Sequence, residues 1–234
     1  MKECPALIVA LPREVSGLVK GWERKQPAHN VNVYTNGHAV VACAGMGAAR
    51  AALAVQAAMA AMPVTALISA GVAGACDPAL RVGEIVRAGV VIDSRTGERF
   101  ADLRGGQVLV TADVVASVRE KARLRDSYGA AAVDMEAAAV ARLARAHGLH
   151  FQAIKAISDE ADFEVDGLGR FATPDGQFRE GAFALHAALR PAIWGKVIAL
   201  GRGSGAAVNA LTAALEGELD WYRKRSAMEE KNVV

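Results

Sequence analysis

Short apolar runs recur along the chain at residues 6–11, 39–44, 64–69, 84–92, 108–111 and 151–157. Runs of this length and composition predict buried strands. Helical periodicity fills several of the gaps, over residues 48–62, 112–125, 134–147 and 181–189. Strands alternating with helices predict a layered α/β domain. Residues 51–76 carry no charge and are long enough to cross a bilayer. Ala and Gly dominate the stretch and Pro63 interrupts it, so it divides into a helix ending at Met62 and a strand from Val64 to Ser69. Beyond residue 200, Gly201, Gly203 and Gly205 predict a flexible connector. Leu211, Leu215, Leu219 and Tyr222 then fall on one face of a helix. That face suits docking on the domain or on an identical subunit; contact with a membrane or lipidic ligand is the alternative. The expected organisation is one domain over residues 1–200, followed by a connector and amphipathic helix over 201–234. No internal repeat is seen.

Composition narrows the function more than the fold. With 53% hydrophobic residues in 234, the chain can bury a large core. Its formal charge is +2, and no stretch interleaves Lys and Arg with aromatics, so nucleic acid is not an expected partner. Small molecules are. The first eleven residues hold one Lys and a short apolar run that meets Pro12, Arg13 and Glu14, unlike a secretory signal; a cytoplasmic location is expected. Cys4, Cys43 and Cys76 lack metal-ligand spacing and are expected as buried free thiols, with no metal site.

Candidate chemistry lies at the strand ends. Gly45, Met46, Gly47 and Ala48 follow a strand and open a helix with Arg50 in its first turn. Exposed amides and a guanidinium there would favour an anion such as phosphate, though close helix packing explains the glycines equally well. A dinucleotide fingerprint is incomplete, because Arg50 replaces the third glycine and the next strand ends in Ser69 and Ala70 instead of an acid. Ala70, Gly71, Val72, Ala73 and Gly74 predict a second tight turn, and two such turns put a crevice at the carboxyl edge of the sheet. Asp134 and Glu136 stand at the start of an Ala-rich helix, where acids serve equally as caps or as functional groups. Ser158, Asp159, Glu160 and Asp162 follow the apolar strand at 151–157; acids in that position suit catalysis, and Asp162 also suits an N-cap.

These segments resemble the superfamily of nucleoside phosphorylases and nucleosidases, which contains purine nucleoside phosphorylases, uridine phosphorylases and methylthioadenosine/S-adenosylhomocysteine nucleosidases. The resemblance runs from the first strand to about Leu189 and rests on LPREVSGL (11–18), AGMGAAR (44–50), AGVAGACDPALRVGEIV (70–86), VDMEAAAVA (133–141) and ISDEAD (157–162). It implies a three-layer αβα fold with a central mixed, twisted sheet flanked by helices. It further implies that Asp159 protonates or hydrogen-bonds N7 of a departing purine, with Ser158 beside it. Glu136 would bind the ribose hydroxyls, Met135 would pack on the sugar, and Glu14 would activate water. Gly45, Gly47, Arg50 and Arg13 would surround the nucleophile. Gly71, Val72, Ala73, Gly74 and Val115 would line the substrate. No cofactor is implied beyond phosphate as a candidate co-substrate, and relatives assemble as homo-oligomers. Within the superfamily, TGERF (96–100), the VAGACDPALR turn (72–81) and the C-terminal extension look most like the hopanoid-associated phosphorylases, which are thought to take adenine from adenosylhopane.

Cleavage of a purine nucleoside creates an oxocarbenium-like sugar and an anionic base. On that logic Asp159 should hold a proton, through burial or a neighbouring negative charge, while Glu136 stays ionised. Three departures from the family pattern stand out: Val72 replaces a common hydroxyl residue, the segment between Val86 and Val133 is short, and the aromatic expected near residues 114–116 is absent. A shorter rim would admit a bulky 5′ substituent. Hydrolysis of methylthioadenosine or S-adenosylhomocysteine, and a non-catalytic nucleoside-binding role, remain as alternatives. The three retained acids disfavour the latter.

Overall fold

The computed structural model describes residues 3–26, 30–101, 104–164, 171 and 194–231 of the chain. In chain order the elements are β1 (Pro5–Val9), a 3-10 turn (Pro12–Glu14), β2 (Glu23–Lys25), β3 (Asn32–Thr35), β4 (Val40–Cys43), α1 (Ala48–Ala61), β5 (Ala66–Ala75), β6 (Ile85–Asp93), β7 (Arg99–Phe100), β8 (Gln107–Thr111), α2 (Val118–Tyr128), β9 (Ala132–Asp134), α3 (Ala137–Ala146), β10 (His150–Asp159) and α4 (Trp194–Lys231). The ten strands form one mixed sheet between helices, as the α/β pattern predicted. The helix predicted over 181–189 lies outside the described residues.

β1 pairs in parallel with β4 and β5, and β5 with β10. These central strands are covered on both faces, so side-chain alternation divides each apolar run between two cores. Leu7, Val9, Val41, Ile68 and Ile154 pack on one side with Leu211, Leu215 and Tyr222 of α4. Ala6, Ile8, Val40 and Leu67 pack on the other with Ala51, Ala54 and Val55 of α1 and Val140 of α3. Beyond this block, β9 joins β5 antiparallel, β8 joins β9, β6 joins β8, and β6 returns antiparallel to β10, closing a ring of strands. At its rim Gly74 of β5 is paired with both Asp159 and Val133, which brings the ends of β5, β9 and β10 together.

Several boundaries differ from those predicted, each for a physical reason. The stretch from Gly71 to Gly74 is strand instead of turn, because β10 pairs along it from Lys155 to Asp159. α2 starts at Val118, where the Ser117 side chain accepts the Glu120 amide at 3.2 Å in a Ser-x-x-Glu cap. α3 starts at Ala137, since Asp134 still belongs to β9. β2, β3, β7 and β9 were not predicted; they are short, and β2 is fully exposed. The TGERF segment is structural: Glu98 pairs with Arg142 at 2.7 Å and with Arg145, and Asp93 with Arg142 at 2.8 Å, fastening the β6–β7 hairpin to α3.

The expected connector at Gly201, Gly203 and Gly205 is instead part of one continuous helix, α4. Gly203 is a packing glycine: a methyl there would stand 2.7 Å from the Ser158 carbonyl oxygen and 3.5 Å from Val82. Its missing side chain lets the helix touch the end of β10. Leu211, Leu215, Leu219 and Tyr222 are buried against the sheet, and Gln152 donates to the Tyr222 hydroxyl at 3.1 Å. The apolar face is therefore occupied by the domain itself and is not presented to a membrane. No described helix is long and apolar enough to cross one. Cys4, Cys43 and Cys76 are buried, and none of them is in a disulfide.

A helical α4 makes opposite demands on two neighbouring glycines. Gly205→Ala, at an open helical position, should raise stability by about 0.5–1 kcal/mol, whereas Gly203→Ala should lower it by roughly 1–3 kcal/mol through overpacking. Urea unfolding of the two variants measures both, and unchanged midpoints would contradict a continuous helix.

Candidate functional site

At the carboxyl ends of β5, β9 and β10 the chain gathers most of its buried charge. Lys155 lies on β10 opposite Gly71 and is 1% exposed. Its Nζ is 2.8 Å from Asp134 Oδ2 and 3.9 Å from Glu136 Oε2. Asp134 serves both as ion-pair partner and as cap. Its Oδ1 accepts from Thr111 Oγ1 at 2.7 Å, its Oδ2 accepts the Ala137 amide at 2.9 Å, and Thr111 Oγ1 accepts the Ala138 amide at 3.0 Å. The first amides of α3 are thereby satisfied by side chains from β8 and β9. Glu136, at the α3 N-cap, points across to the glycine turn before α1, where its Oε1 accepts the Gly47 amide at 2.7 Å.

Glu14 closes the cluster from the 3-10 turn. It is buried, and its Oε2 has no hydrogen-bond partner among the described residues. Gly71, with φ of 143°, makes room for it: a methyl there would stand 3.0 Å from Glu14 Oε2 and 3.7 Å from Lys155 Nζ. Asp159 ends β10 on the same sheet edge. Ser158 Oγ donates to Asp159 Oδ1 at 2.6 Å and lies 3.2 Å from the Ala73 carbonyl oxygen. Asp159 Oδ2 is held by the ammonium of Lys121 from α2. A cavity of about 210 Å³ opens beside Asp159, bounded by Val82, Ser158, Phe163 and Leu200 among others.

Glu14, Glu136, Gly47 and Gly71 thus meet around Lys155, while Ser158, Asp159, Ala73 and Gly74 form the adjoining half. Met135 and Val72 are half-buried at the same edge. Val115 lies 40% exposed between β8 and α2, and Arg13 is exposed beside Glu14. The amides expected to greet an anion are engaged internally: Gly45 donates to the Ala10 carbonyl at 2.9 Å, Gly47 donates to Glu136, and Arg50 Nε donates to the Ala44 carbonyl. Sequence reasoning missed Lys155, Lys121 and Thr111. Lys155 was legible as a lone charge inside an apolar strand; Lys121, among the charged residues of α2, was not.

The sequence profile of the Phosphorylase superfamily matches residues 6–105 and 93–193. The chain belongs to this superfamily. No curated protein matches it. Its fold is similar to that of the 5′-methylthioadenosine/S-adenosylhomocysteine nucleosidase of Helicobacter pylori, with a TM-score of 0.70 at 15% identity over 94% of this chain and 98% of that one. The futalosine hydrolase of the same organism superposes with a TM-score of 0.59 at 18% identity over 68% of this chain and 88% of that one. The S-adenosylhomocysteine nucleosidase of Streptococcus pyogenes gives 0.59 at 22% identity, over 69% and 86%.

In this Phosphorylase superfamily member the carboxylates that burial raises are Glu14 and Glu136, beside Lys155. Asp159 faces a lysine ammonium in place of a negative charge. Burial, reinforced by the charge of Glu136, pushes Glu14 up to about 7. Burial also raises Glu136, against the pull of Lys155. Burial works to lower Lys155, but Asp134, Glu136 and Glu14 outweigh it and raise it. Three carboxylates cannot all ionise around one ammonium in a dry site, so the cluster holds a proton near neutrality.

Glu14 titrates near 7 when folded against an ordinary 4.5, so its acid form favours the folded state. That contribution is complete below about pH 4.5 and disappears as pH rises to about 7, a loss of about 3 kcal/mol. Glu14→Gln should flatten this part of the stability profile and leave the variant more stable than the parent at pH 8. Urea denaturation from pH 4.5 to 8 reads the slope; equal slopes in both proteins would refute the raised titration.

Proposed function

We propose that the chain hydrolyses the N-glycosidic bond of a 5′-substituted adenosine and releases adenine. The observation that carries this is Glu14: a buried carboxylate with an oxygen that has no partner among the described residues, titrating near 7 beside the carboxylate that would hold the ribose. A general base is most effective when it titrates near the working pH. In this reading Glu14 takes a proton from water as it attacks C1′, Glu136 binds the ribose hydroxyls and steadies the positive sugar, and Asp159 meets the purine at N7 with Ser158 and Lys121 fixing its plane. Met135 packs on the sugar, and Gly71 to Gly74 leave space for it.

Water is preferred over phosphate because the Gly45 and Gly47 amides and Arg50 Nε are already engaged within the protein. For the 5′ substituent, the resemblance to hopanoid-associated members and the short rim favour a large apolar group such as hopane. The water-activating Glu14 equally suits methylthioadenosine or S-adenosylhomocysteine as substrate.

Chromatography of products from adenosine, 5′-methylthioadenosine, S-adenosylhomocysteine and a long-chain 5′-alkyl adenosine, with and without phosphate, tests the reading. Adenine release should be independent of phosphate and fastest for the apolar 5′ group, and an absolute phosphate requirement would exclude hydrolysis. Glu14→Gln should lower kcat by roughly 10²–10⁴, and kcat/KM of the parent should rise with pH through about 7 as Glu14 loses its proton.

A further inference from the structure

Lys121 presents a buried cation that the proposed chemistry has so far used only as a brace. It is 2% exposed, and its three N–H groups are all committed: to Asp159 Oδ2, to the Glu160 carbonyl at 2.8 Å and to the Phe163 carbonyl at 3.1 Å. The position is built for this contact. A methyl at Gly74 would stand 3.0 Å from both Asp159 Oδ2 and Lys121 Cε, so a side chain there would force the pair apart. α2 is fastened to the same segment, because Glu164 accepts the Val118 amide at 3.0 Å. Asp159, in contrast, reaches the cavity, so Lys121 stands behind it.

We infer that Lys121 is the positioning residue that supplies Asp159 with the proton taken by the departing base; the inference rests on the proposed nucleosidase reading. Paired with an ammonium, Asp159 enters the reaction as a carboxylate and has no proton of its own to give. As C1′–N9 breaks, the bond's electron pair passes to the purine. Lys121 Nζ passes its proton to Asp159 as Asp159 passes one to N7, so the proton that the purine gains is the one the ammonium loses. On the sugar side the water oxygen bonds to C1′ and its proton passes to Glu14. Solvent removes the proton from Glu14 and returns one to Lys121, so the cycle consumes one water and leaves both groups as they began. The surroundings satisfy Lys121 in both forms. As an ammonium it has three donors for three acceptors; as an amine it keeps two donors for the two carbonyls, and its lone pair is left to take back a proton.

The test separates leaving groups that need a proton from one that does not. Lys121→Met and Lys121→Arg are compared with the parent on adenosine, 5′-methylthioadenosine and a 5′-alkyl adenosine, and on 4-nitrophenyl β-ribofuranoside, whose phenolate departs unprotonated. Both variants should lose at least about a hundredfold in kcat on the best-cleaved purine nucleoside while staying within about threefold on the nitrophenyl riboside. Arginine keeps the charge but does not release its proton, so Lys121→Arg should bind purine nucleoside with an almost unchanged KM and still turn over slowly; it also decides the matter if Lys121→Met does not fold. Full rescue of kcat by arginine, or equal losses on both classes of substrate, would overturn the proton-supplying role. A parent enzyme that cleaves the nitrophenyl riboside but no purine nucleoside, or cleaves neither, would overturn the nucleosidase reading beneath it.

Discussion

Beneath the carboxyl edge of the sheet, the ammonium of Lys155 faces Asp134 at 2.8 Å and Glu136 at 3.9 Å, with Glu14 close by. A buried lysine is tolerated only with partners that replace its lost hydration, and here the partners come from three separate places in the chain. Asp134 sits at the end of β9, Glu136 at the start of α3, and Glu14 in the turn after β1. The same Asp134 that neutralises Lys155 also caps α3 and accepts from Thr111. Electrostatics and helix initiation are therefore one structure, and moving any member would disturb the orientation of Glu136.

One ammonium among three acids leaves an excess of negative charge, and burial prevents it from being dispersed into water. The result is a carboxylate that changes protonation near neutral pH, which is a liability for stability. Sites of this kind are expected to oppose the folded state somewhat. Asp159 follows the opposite design. It is partly open to a cavity and tied to its own lysine, so its charge is compensated locally. The two halves of the site share a sheet edge but carry separate lysines, Lys155 in one and Lys121 in the other.

The packing of α4 explains how such a site can stay rigid at the rim of a sheet. The helix lies across β5 and β10 with Leu211 and Leu215 buried, and at Gly203 it presses against the Ser158 carbonyl. Ser158 in turn orients Asp159. Contact between helix and strand end thus passes directly to a side chain of the candidate site, through a residue whose lack of a side chain looked like flexibility.

The central strands, α1 and the position of Glu136 and Asp159 at strand ends were legible in the sequence. Each is a local property: an apolar run, a helical period, or acids placed directly after a strand. The pairing of strand ends was not, because Gly71 and Gly74 read as a turn until β10 and β9 are seen beside them. Nor was the proton inventory. Lys121 and Lys155 are 34 positions apart in sequence and reach different acids only after the fold is complete. Where each proton resides depends on burial and on distances of a few ångströms between residues remote in sequence, and those quantities belong to the tertiary structure alone.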